Sequence, residues 1–381
     1  MDLGLDFDKL VNLRHQLHAR AELSNQEEET AQLVINFIEQ FEPDQIWDNV
    51  GGHGVIALFK GETDGENIAF RADLDALHIA ETIELDYASK TPHTAHKCGH
   101  DGHMTMVAGI ASYLSKHNLK RGNVYLVFQP AEETGEGAER ISHALSALDI
   151  QLDYIFGLHN LPGFPESEIL STEGTFSAAS RGMVIKLFGK TSHAAEPEFG
   201  ISPVLAIARI TSKMTKVHEN SGFTGLTLAT VIHSELGEIA FGTSPGYGEI
   251  RITLRAMLDQ DMQRLIDIAE NMVKEESKKE HLDYEISYTE TFPVTENTEE
   301  AYQIMKQAAE SVGLEFKQLD KPFKWSEDFG QYKLENKSGF FGLGAGEDCP
   351  HLHDETYDFP DQIILSGVKM YVGLMKYFNL I

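Results

Sequence analysis

Three short apolar runs, each followed at once by polar side chains, constrain the fold of this 381-residue chain more than any other feature. Residues 68–72 lead into two aspartates, residues 124–128 into two glutamates, and residues 154–158 into a histidine. The run VYLVF at 124–128 is typical of a strand buried on both faces in a parallel sheet. Because loops converge beyond the carboxyl ends of such strands, ligands bind there. The sequence therefore predicts an α/β fold with a mainly parallel mixed sheet flanked by helices.

The segment KCGHDGH at residues 97–103 brings a thiol and two imidazoles close together. Four apolar residues follow at helical spacing, so a helix is predicted to start near Asp101, a residue type that caps helices. Thiolate and neutral imidazole suit Zn²⁺ and accept Mn²⁺, Co²⁺ or Ni²⁺. The alternative interpretation is a loop histidine cluster beside a buried free thiol.

Together these polar residues predict a two-metal hydrolase. Such a site needs about three protein ligands per ion, a group shared between ions ~3.5–4 Å apart, and a carboxylate for the proton of the water. Glu132 and Glu133 would point to opposite sides at a strand end, so that one binds metal while the other acts as general base. Taken alone, His159 is more typical of a core histidine. The candidates are Asp73, Asp75, Cys98, His100, His103, Glu132, Glu133, His159, His351 and His353.

The middle of the chain has a different pattern. Strands are predicted at residues 182–188, 227–233, 249–257 and 282–288, and helices at 203–217 and 259–278. This βαββαβ order is that of a ferredoxin-like α+β unit. The sequence thus predicts a catalytic domain over residues 1–176 and 289–381, with a small domain over 177–288 inserted into it.

Charge and composition exclude several function classes. With 60 acidic and 31 basic residues the net charge is −29, which disfavours nucleic acid and anionic membranes as partners. The two cysteines form no disulfide framework, and a thiol in the metal motif implies a reducing compartment. Residues 1–8 lack the features of a secretion signal, and no apolar run approaches the ~20 residues that span a bilayer. We therefore expect a soluble cytoplasmic protein.

Many segments, in the same order, resemble the amidohydrolase branch of the aminoacylase/carboxypeptidase G-like metallopeptidases. That branch includes hippurate hydrolases, indole-3-acetyl-amino-acid hydrolases and N-acetyl-diaminopimelate deacetylases, and the resemblance covers nearly the whole chain. The matching segments are RHQLH (14–18), ELS (22–24), FRADLDAL (70–77), CGHDGH (98–103), QPAEE (129–133), GLH (157–159), GKTSHAA (189–195), EDF (327–329), LH (352–353) and YDF (357–359).

The resemblance implies a zinc-peptidase-like catalytic domain with two divalent metal ions per subunit, Mn²⁺ or Zn²⁺, with Co²⁺ or Ni²⁺ as alternatives. It makes Cys98 the bridging ligand, Glu132 the general acid/base and Asp75 a residue that orients a ligand from behind. The inserted domain would be a lid and would form a homodimer, and its His193 would reach the oxyanion of the scissile carbonyl. The remaining implied ligands are His100, Glu133, His159 and His353.

The predicted function is that of a dinuclear metal-dependent amidohydrolase acting on N-acyl amino acids, with hippurate-like, N-acetyl or auxin-conjugate-like substrates. Metal-activated water would attack the carbonyl while Glu132 takes its proton and returns it to the leaving amine. Two alternatives are a metallo-dipeptidase or aminopeptidase on the same scaffold and an inactive, metal-binding dimeric interaction protein. Glu132 argues against the latter, because a pure metal site has no use for a second, non-ligating carboxylate.

The sequence departs from the pattern of these proteins at four places. Lys97 stands where alanine is usual, and Ala21 and His78 each replace a common proline. The segment at residues 236–245 lacks an asparagine that is often credited with holding the substrate carboxylate. How this chain grips a substrate carboxylate therefore does not follow from the resemblance.

Overall fold

The computed structural model describes residues 2–219 and 222–381. The chain forms two compact units, the first from residues up to Phe176 with Thr295–Lys321 and Asp328–Ile381, the second from Ser177–Val294 with Pro322–Glu327. The sequence placed the return to the first unit after residue 288. In the structure the last strand of the second unit continues to Phe292, and this unit also takes in 322–327.

The helices and strands of the described residues are as follows. The α-helices are α1 (Phe7–His18), α2 (Glu28–Ile38), α3 (His100–Leu114), α4 (Gly137–Ala147), α5 (Val204–Met214), α6 (Asp259–Lys279), α7 (Glu299–Val312) and α8 (Ile364–Tyr377). The strands are β1 (Gln45–Val50), β2 (Gly54–Lys60), β3 (Asn67–Asp73), β4 (Asn123–Gln129), β5 (Tyr154–Leu161), β6 (Ile169–Ser171), β7 (Gly174–Ser177), β8 (Ala179–Phe188), β9 (Ser192–His193), β10 (Thr227–Leu236), β11 (Thr243–Ser244), β12 (Tyr247–Ala256), β13 (Asp283–Phe292), β14 (Thr295–Asn297), β15 (Phe316–Gln318) and β16 (Lys337–Gly344). Among the described residues, no helix combines the length and the hydropathy that crossing a membrane requires.

The first unit is built on a sheet with the strand order β1-β2-β4-β3-β5-β16-β6-β15. Its centre, β4-β3-β5-β16, is parallel throughout, and β6 and β15 are also parallel. The pairs β1/β2, β2/β4 and β16/β6 are antiparallel. The predicted mainly parallel mixed sheet is confirmed, and the three apolar runs of the sequence are the adjacent strands β4, β3 and β5.

Helices cover this sheet because its central strands are apolar on both faces. Every residue of β3 and β4 after the first asparagine is buried. Helix α3 is buried along its whole length and packs against α1 and α8, which is typical of a helix inside a larger core. This buried helix holds the CGHDGH segment rigidly against the sheet edge.

The second unit has a four-stranded antiparallel sheet in the order β10-β12-β8-β13. Helices α5 and α6 pack against it through apolar stripes that share one core. Numbered within the unit, the strand order is two-three-one-four, the arrangement of a ferredoxin-like βαββαβ fold. The predicted ferredoxin-like α+β unit is confirmed. A two-residue ribbon, in which His193 pairs with Thr243, joins β9 to β11.

Candidate active site

The site of the first unit lies at the carboxyl edge of its parallel strands. Because β4, β3 and β5 are neighbours that run the same way, the residues after them converge at one edge. The loop before α3 reaches the same place. With the loop that carries His351 and His353, the candidate residues come from five separate segments, which are distant in sequence.

Gly99 shapes the loop before α3. The helix begins at His100, with Gly99 as its N-cap in the left-handed region at φ +91°. A Cβ there would lie 2.4 Å from Asn160 Oδ1, so the position requires glycine. The prediction that Asp101 caps the helix was wrong. The buried Asp101 carboxylate instead lies 2.8 Å from His18 Nδ1 and accepts a hydrogen bond from the N–H of Gly102.

All five implied ligands come together, in two groups that share Cys98. The donor atoms of Cys98, His100 and His159 lie within 4.8 Å of one another, and so do those of Cys98, Glu133 and His353. Within the first group, Cys98 Sγ is 3.3 Å from His159 Nε2. Between the groups, His100 Nε2 is 4.0 Å from Glu133 Oε1. The arrangement matches the need of a two-metal site for one shared ligand.

The hydrogen bonds of the two buried histidines fit metal binding. His100 Nδ1 lies 2.9 Å from the carbonyl oxygen of Asp75, and His159 Nδ1 lies 2.9 Å from that of Asn160. A proton donated from Nδ1 leaves the lone pair on Nε2, the usual arrangement of a ligating histidine. The buried Nε2 of His100 has no hydrogen-bond partner among the described residues, which a bound cation would remedy. These residues therefore fit a pair of divalent ions.

Asp75 belongs to neither ligand group. Its carboxylate accepts hydrogen bonds from the Ser24 hydroxyl at 2.7 Å and from the N–H groups of Glu132 and Glu133 at 3.2 and 3.0 Å. Burial alone would raise the pKa of Asp75, but the neighbouring His100 imidazole and the Ser24 hydroxyl lower it. Asp75 thus stays ionised and orients the turn that carries both glutamates.

Asp73 serves Arg71. The two buried side chains pair at 2.6 Å, and Arg71 also donates to Gln129 and to Asp328. Asp73 does lie in a cluster with His100 and His103. The guanidinium already neutralises its carboxylate, however, and would repel a second cation. We assign Asp73 to a buried ion-pair network beneath the site.

Two candidate histidines, His103 and His351, lie outside the two groups that share Cys98. His103 Nε2 lies 2.6 Å from Asn160 Oδ1, and the Asn160 amide in turn donates to the Tyr357 hydroxyl. His103 thereby ties α3 to the end of β5. His351 is exposed and belongs to none of the ligand groups found among the described residues.

Glu132 and Glu133 lie in a turn, not at a strand end. Strand β4 ends at Gln129, and Ala131 has a positive φ of 54°. The prediction that they alternate as strand neighbours was therefore wrong, because Pro130 and this turn end the pleat. Glu132 is 5% exposed, and its Oε1 accepts a hydrogen bond from the N–H of Asp328 at 3.3 Å. Glu132 is absent from both groups that share Cys98, although its carboxylate lies within 4.8 Å of donor atoms of His100 and Glu133.

His193 lies in the second unit. It is exposed on β9, where its Nδ1 accepts a hydrogen bond from the N–H of Ala195 at 3.1 Å. The loop between β10 and β11 carries Ile239 and Phe241, whose side chains are fully exposed.

Sequence reasoning missed most of the supporting residues. Ser24 and Asn160 hold Asp75 and His103 through side-chain hydrogen bonds. Ser24 lies inside a segment that carried the resemblance, and Asn160 directly follows one. Arg71 had a visible signal, since it interrupts the apolar strand β3. Gln129 and Asp328, which bind Arg71, also lie inside segments that carried the resemblance, but both are distant from Arg71 in sequence and no local pattern linked them to it.

Comparison with known proteins agrees with this geometry. The sequence profile of peptidase family M20/M25/M40 matches residues 69–377. A hippurate hydrolase of Campylobacter jejuni is 29% identical over 383 residues, covering 99% of this chain and 98% of that protein. An IAA-amino acid hydrolase of Arabidopsis thaliana is 32% identical over 381 residues, covering 97% of this chain and 86% of that protein.

A solved structure has the same fold. A dinuclear metal binding peptidase of the M20 family from Bacillus subtilis superimposes with a TM-score of 0.82 at 27% identity, covering 97% of this chain and 96% of that one. The resemblance found in the sequence is confirmed. With a family profile that spans most of its length, the chain belongs to peptidase family M20/M25/M40 and is a metal-dependent amidohydrolase of that family.

Proposed function

We propose that this enzyme hydrolyses the amide bond of N-acyl amino acids. The observation that carries the proposal is the pair of ligand groups sharing Cys98, with Glu132 beside them and in neither. That division of roles is what amide hydrolysis needs: ligands that hold cations and a carboxylate that handles protons. The similar hippurate hydrolase and IAA-amino acid hydrolase are named for conjugates of this kind, an acyl group joined to an amino acid.

The proposed mechanism assigns a task to each residue. Cys98 with His100 and His159, and Cys98 with Glu133 and His353, would hold two divalent ions, whose Lewis acidity activates the carbonyl and a water molecule. Glu132 takes a proton from the attacking water and donates it to the leaving nitrogen, so that one water yields an acid and an amine. The N–H of Asp328 donates to the Glu132 carboxylate and orients it.

The donor set bears on the metal. One thiolate and three imidazoles suit Zn²⁺, whereas the Glu133 carboxylate keeps Mn²⁺ acceptable, and Co²⁺ or Ni²⁺ accept the same donors. We propose Zn²⁺ or Mn²⁺ as the native ions. A thiol that ligates metal must stay reduced, and both cysteines are free thiols, so we propose the cytoplasm as the compartment.

A hydrolysis panel tests the substrate class. Protein reconstituted with Mn²⁺ or Zn²⁺ is given N-acetyl, N-benzoyl and indole-acetyl amino acids beside free dipeptides, and released amine is measured. We expect turnover of at least one acyl series and little with dipeptides. Turnover of dipeptides alone would assign the site to a peptidase. No turnover of any substrate at full metal load would favour an interaction protein.

We further propose that the second unit forms a homodimer and acts as a lid. Strand β10 stands at one edge of its sheet, and the edge of a sheet can pair with another strand. Ile232 on this strand is 64% exposed, which is high for an isoleucine of a sheet. A second copy of the chain that pairs at the same edge would cover both the open edge of β10 and the Ile232 side chain.

A mixing experiment tests whether His193 serves the active site of the partner. We expect His193→Ala and Glu132→Gln each to be nearly inactive alone. After subunit exchange, a heterodimer would contain one site with both residues intact, so mixing should restore part of the activity. Mass spectrometry of differently tagged subunits verifies the exchange, and verified exchange without recovery would contradict service in trans.

A further inference from the structure

Lys97, the residue before Cys98, is fully buried and joins three segments of the first unit. Its Nζ donates to Glu81 Oε1 at 2.6 Å and to the carbonyl oxygen of Tyr357 at 2.7 Å. Its own carbonyl oxygen accepts a hydrogen bond from the N–H of His353 at 2.8 Å. A lysine is almost never fully buried unless it is paired, so this placement asks for a reason beyond packing.

Lys97 contacts the loop that carries His353, one of the proposed metal ligands. His353 lies on an exposed loop with φ +67°, in contrast to His100 on the buried helix α3 and His159 in strand β5. Those two have rigid elements and Nδ1 contacts to hold them. Two hydrogen bonds tie the ends of residues 353–357 to Lys97. The main-chain carbonyl of Lys97 accepts from the N–H of His353, a contact that any residue here could make, whereas the ammonium bond to the Tyr357 carbonyl comes from the lysine side chain alone.

The acceptor of the ammonium is itself anchored. Glu81 Oε1 is 2.8 Å from His18 Nε2, and Glu81 Oε2 accepts from the N–H of Ser89 at 2.8 Å. Burial would lower the pKa of His18, but its contacts with Asp101 and Glu81 raise it to about 9. His18 is therefore a cation at neutral pH. Glu81 keeps this cationic partner when Lys97 is replaced, so removal of the ammonium leaves no unpaired buried carboxylate.

We propose that Lys97 is a positioning residue that holds His353 toward Cys98 and so sets the metal affinity of the group Cys98, Glu133 and His353. The group Cys98, His100 and His159 is affected much less, because its histidines have their own anchors. The inference rests on the proposed two-ion site.

Metal titration of Lys97→Met tests the proposal. Methionine keeps a long unbranched side chain and removes the ammonium. Chelator-treated protein is titrated with Zn²⁺ by calorimetry, and bound ions are counted by elemental analysis. We expect the wild type to bind two ions, and the variant to bind one normally and the other about 10–100-fold more weakly, the range for partners that orient metal ligands. Lys90→Met, at an exposed lysine of a neighbouring segment, is the matched control and should bind as wild type.

A double-mutant cycle separates positioning from general destabilisation. If Lys97 acts through His353, then Lys97→Met should change metal affinity little in a protein that already carries His353→Ala. Added to His159→Ala, it should still weaken the remaining ion. Equal weakening of both ions in Lys97→Met, or full additivity with His353→Ala, would overturn the proposal.

Two further outcomes keep the inference distinct from the proposed function. If thermal unfolding reveals that Lys97→Met does not fold, Glu81→Gln replaces it. This variant should weaken the binding of the same ion by a smaller factor, and an unchanged affinity would overturn the proposal.

A wild type that binds two ions but cleaves none of the acyl amino acids would contradict the proposed function and leave the inference about Lys97 intact. A wild type that binds fewer than two ions removes both.

Discussion

Replacement of Glu132 by glutamine is expected to reduce turnover by about 10²–10⁴-fold while both ions stay bound. An amide of the same shape cannot accept the proton of the attacking water, and Glu132 is in neither ligand group that shares Cys98. The loss corresponds to about 3–5 kcal/mol of transition-state stabilisation. Steady-state kinetics beside elemental analysis of the same sample measures both quantities.

Glu133→Gln is the matched control, because it makes the same chemical change one residue away. Glu133 contributes a donor atom to the group of Cys98 and His353, so this variant should lose metal together with activity. The contrast between the two glutamates separates proton transfer from metal binding. An active Glu132→Gln protein at full metal load would remove Glu132 from the mechanism.

Replacement of Cys98 by alanine is expected to release both ions and abolish activity. Cys98 is the one residue common to the two ligand groups, so its loss removes a ligand from each ion. The decrease in metal affinity should exceed the ~10–100-fold that follows removal of a residue supporting a ligand. Elemental analysis after gel filtration in metal-free buffer counts the ions that remain.

Three further variants serve as comparisons for Cys98→Ala. His159→Ala and His353→Ala should each weaken one ion and leave the other, because each histidine belongs to one of the two groups that share Cys98. Cys349→Ala should bind both ions, since Cys349 belongs to no ligand group of the described residues and burial raises the pKa of its thiol to about 11. Two ions in Cys98→Ala would mean that the thiol is not shared, and the site would have to be rebuilt around other donors.

Local patterns in the sequence were sufficient for the fold class and for the site edge. The apolar runs at 68–72, 124–128 and 154–158 predicted buried parallel strands. In the structure they form β3, β4 and β5, which are neighbours in the sheet. A strand that is buried on both faces needs apolar residues at successive positions, and this pattern can be recognised from the local sequence alone. The same holds for the alternating strands and amphipathic helices of the second unit, which predicted its βαββαβ order.

Details of backbone geometry were decided by tertiary contacts. Asp101 is of a residue type that caps helices, yet Gly99 is the N-cap, because Asn160 leaves no room for a side chain at that position. The Asp101 carboxylate contacts His18 instead. Glu132 and Glu133 follow a strand in sequence but occupy a turn after Ala131. For Asp101 a partner from another segment overrode the local preference, whereas for the two glutamates Pro130 and the turn at Ala131 end the strand.

The hydrogen-bond and ion-pair partners of the acidic and basic residues came only from the folded chain. Asp73 and Asp75 are two residues apart and of the same type, yet one pairs with Arg71 while the other accepts hydrogen bonds from the turn that carries Glu132 and Glu133. Lys97 reaches Tyr357 across 260 positions. The sequence by itself determined which elements form and which edge carries the site, because burial and periodicity are local. Which partner each carboxylate contacts was left to the tertiary structure, because these contacts join distant segments.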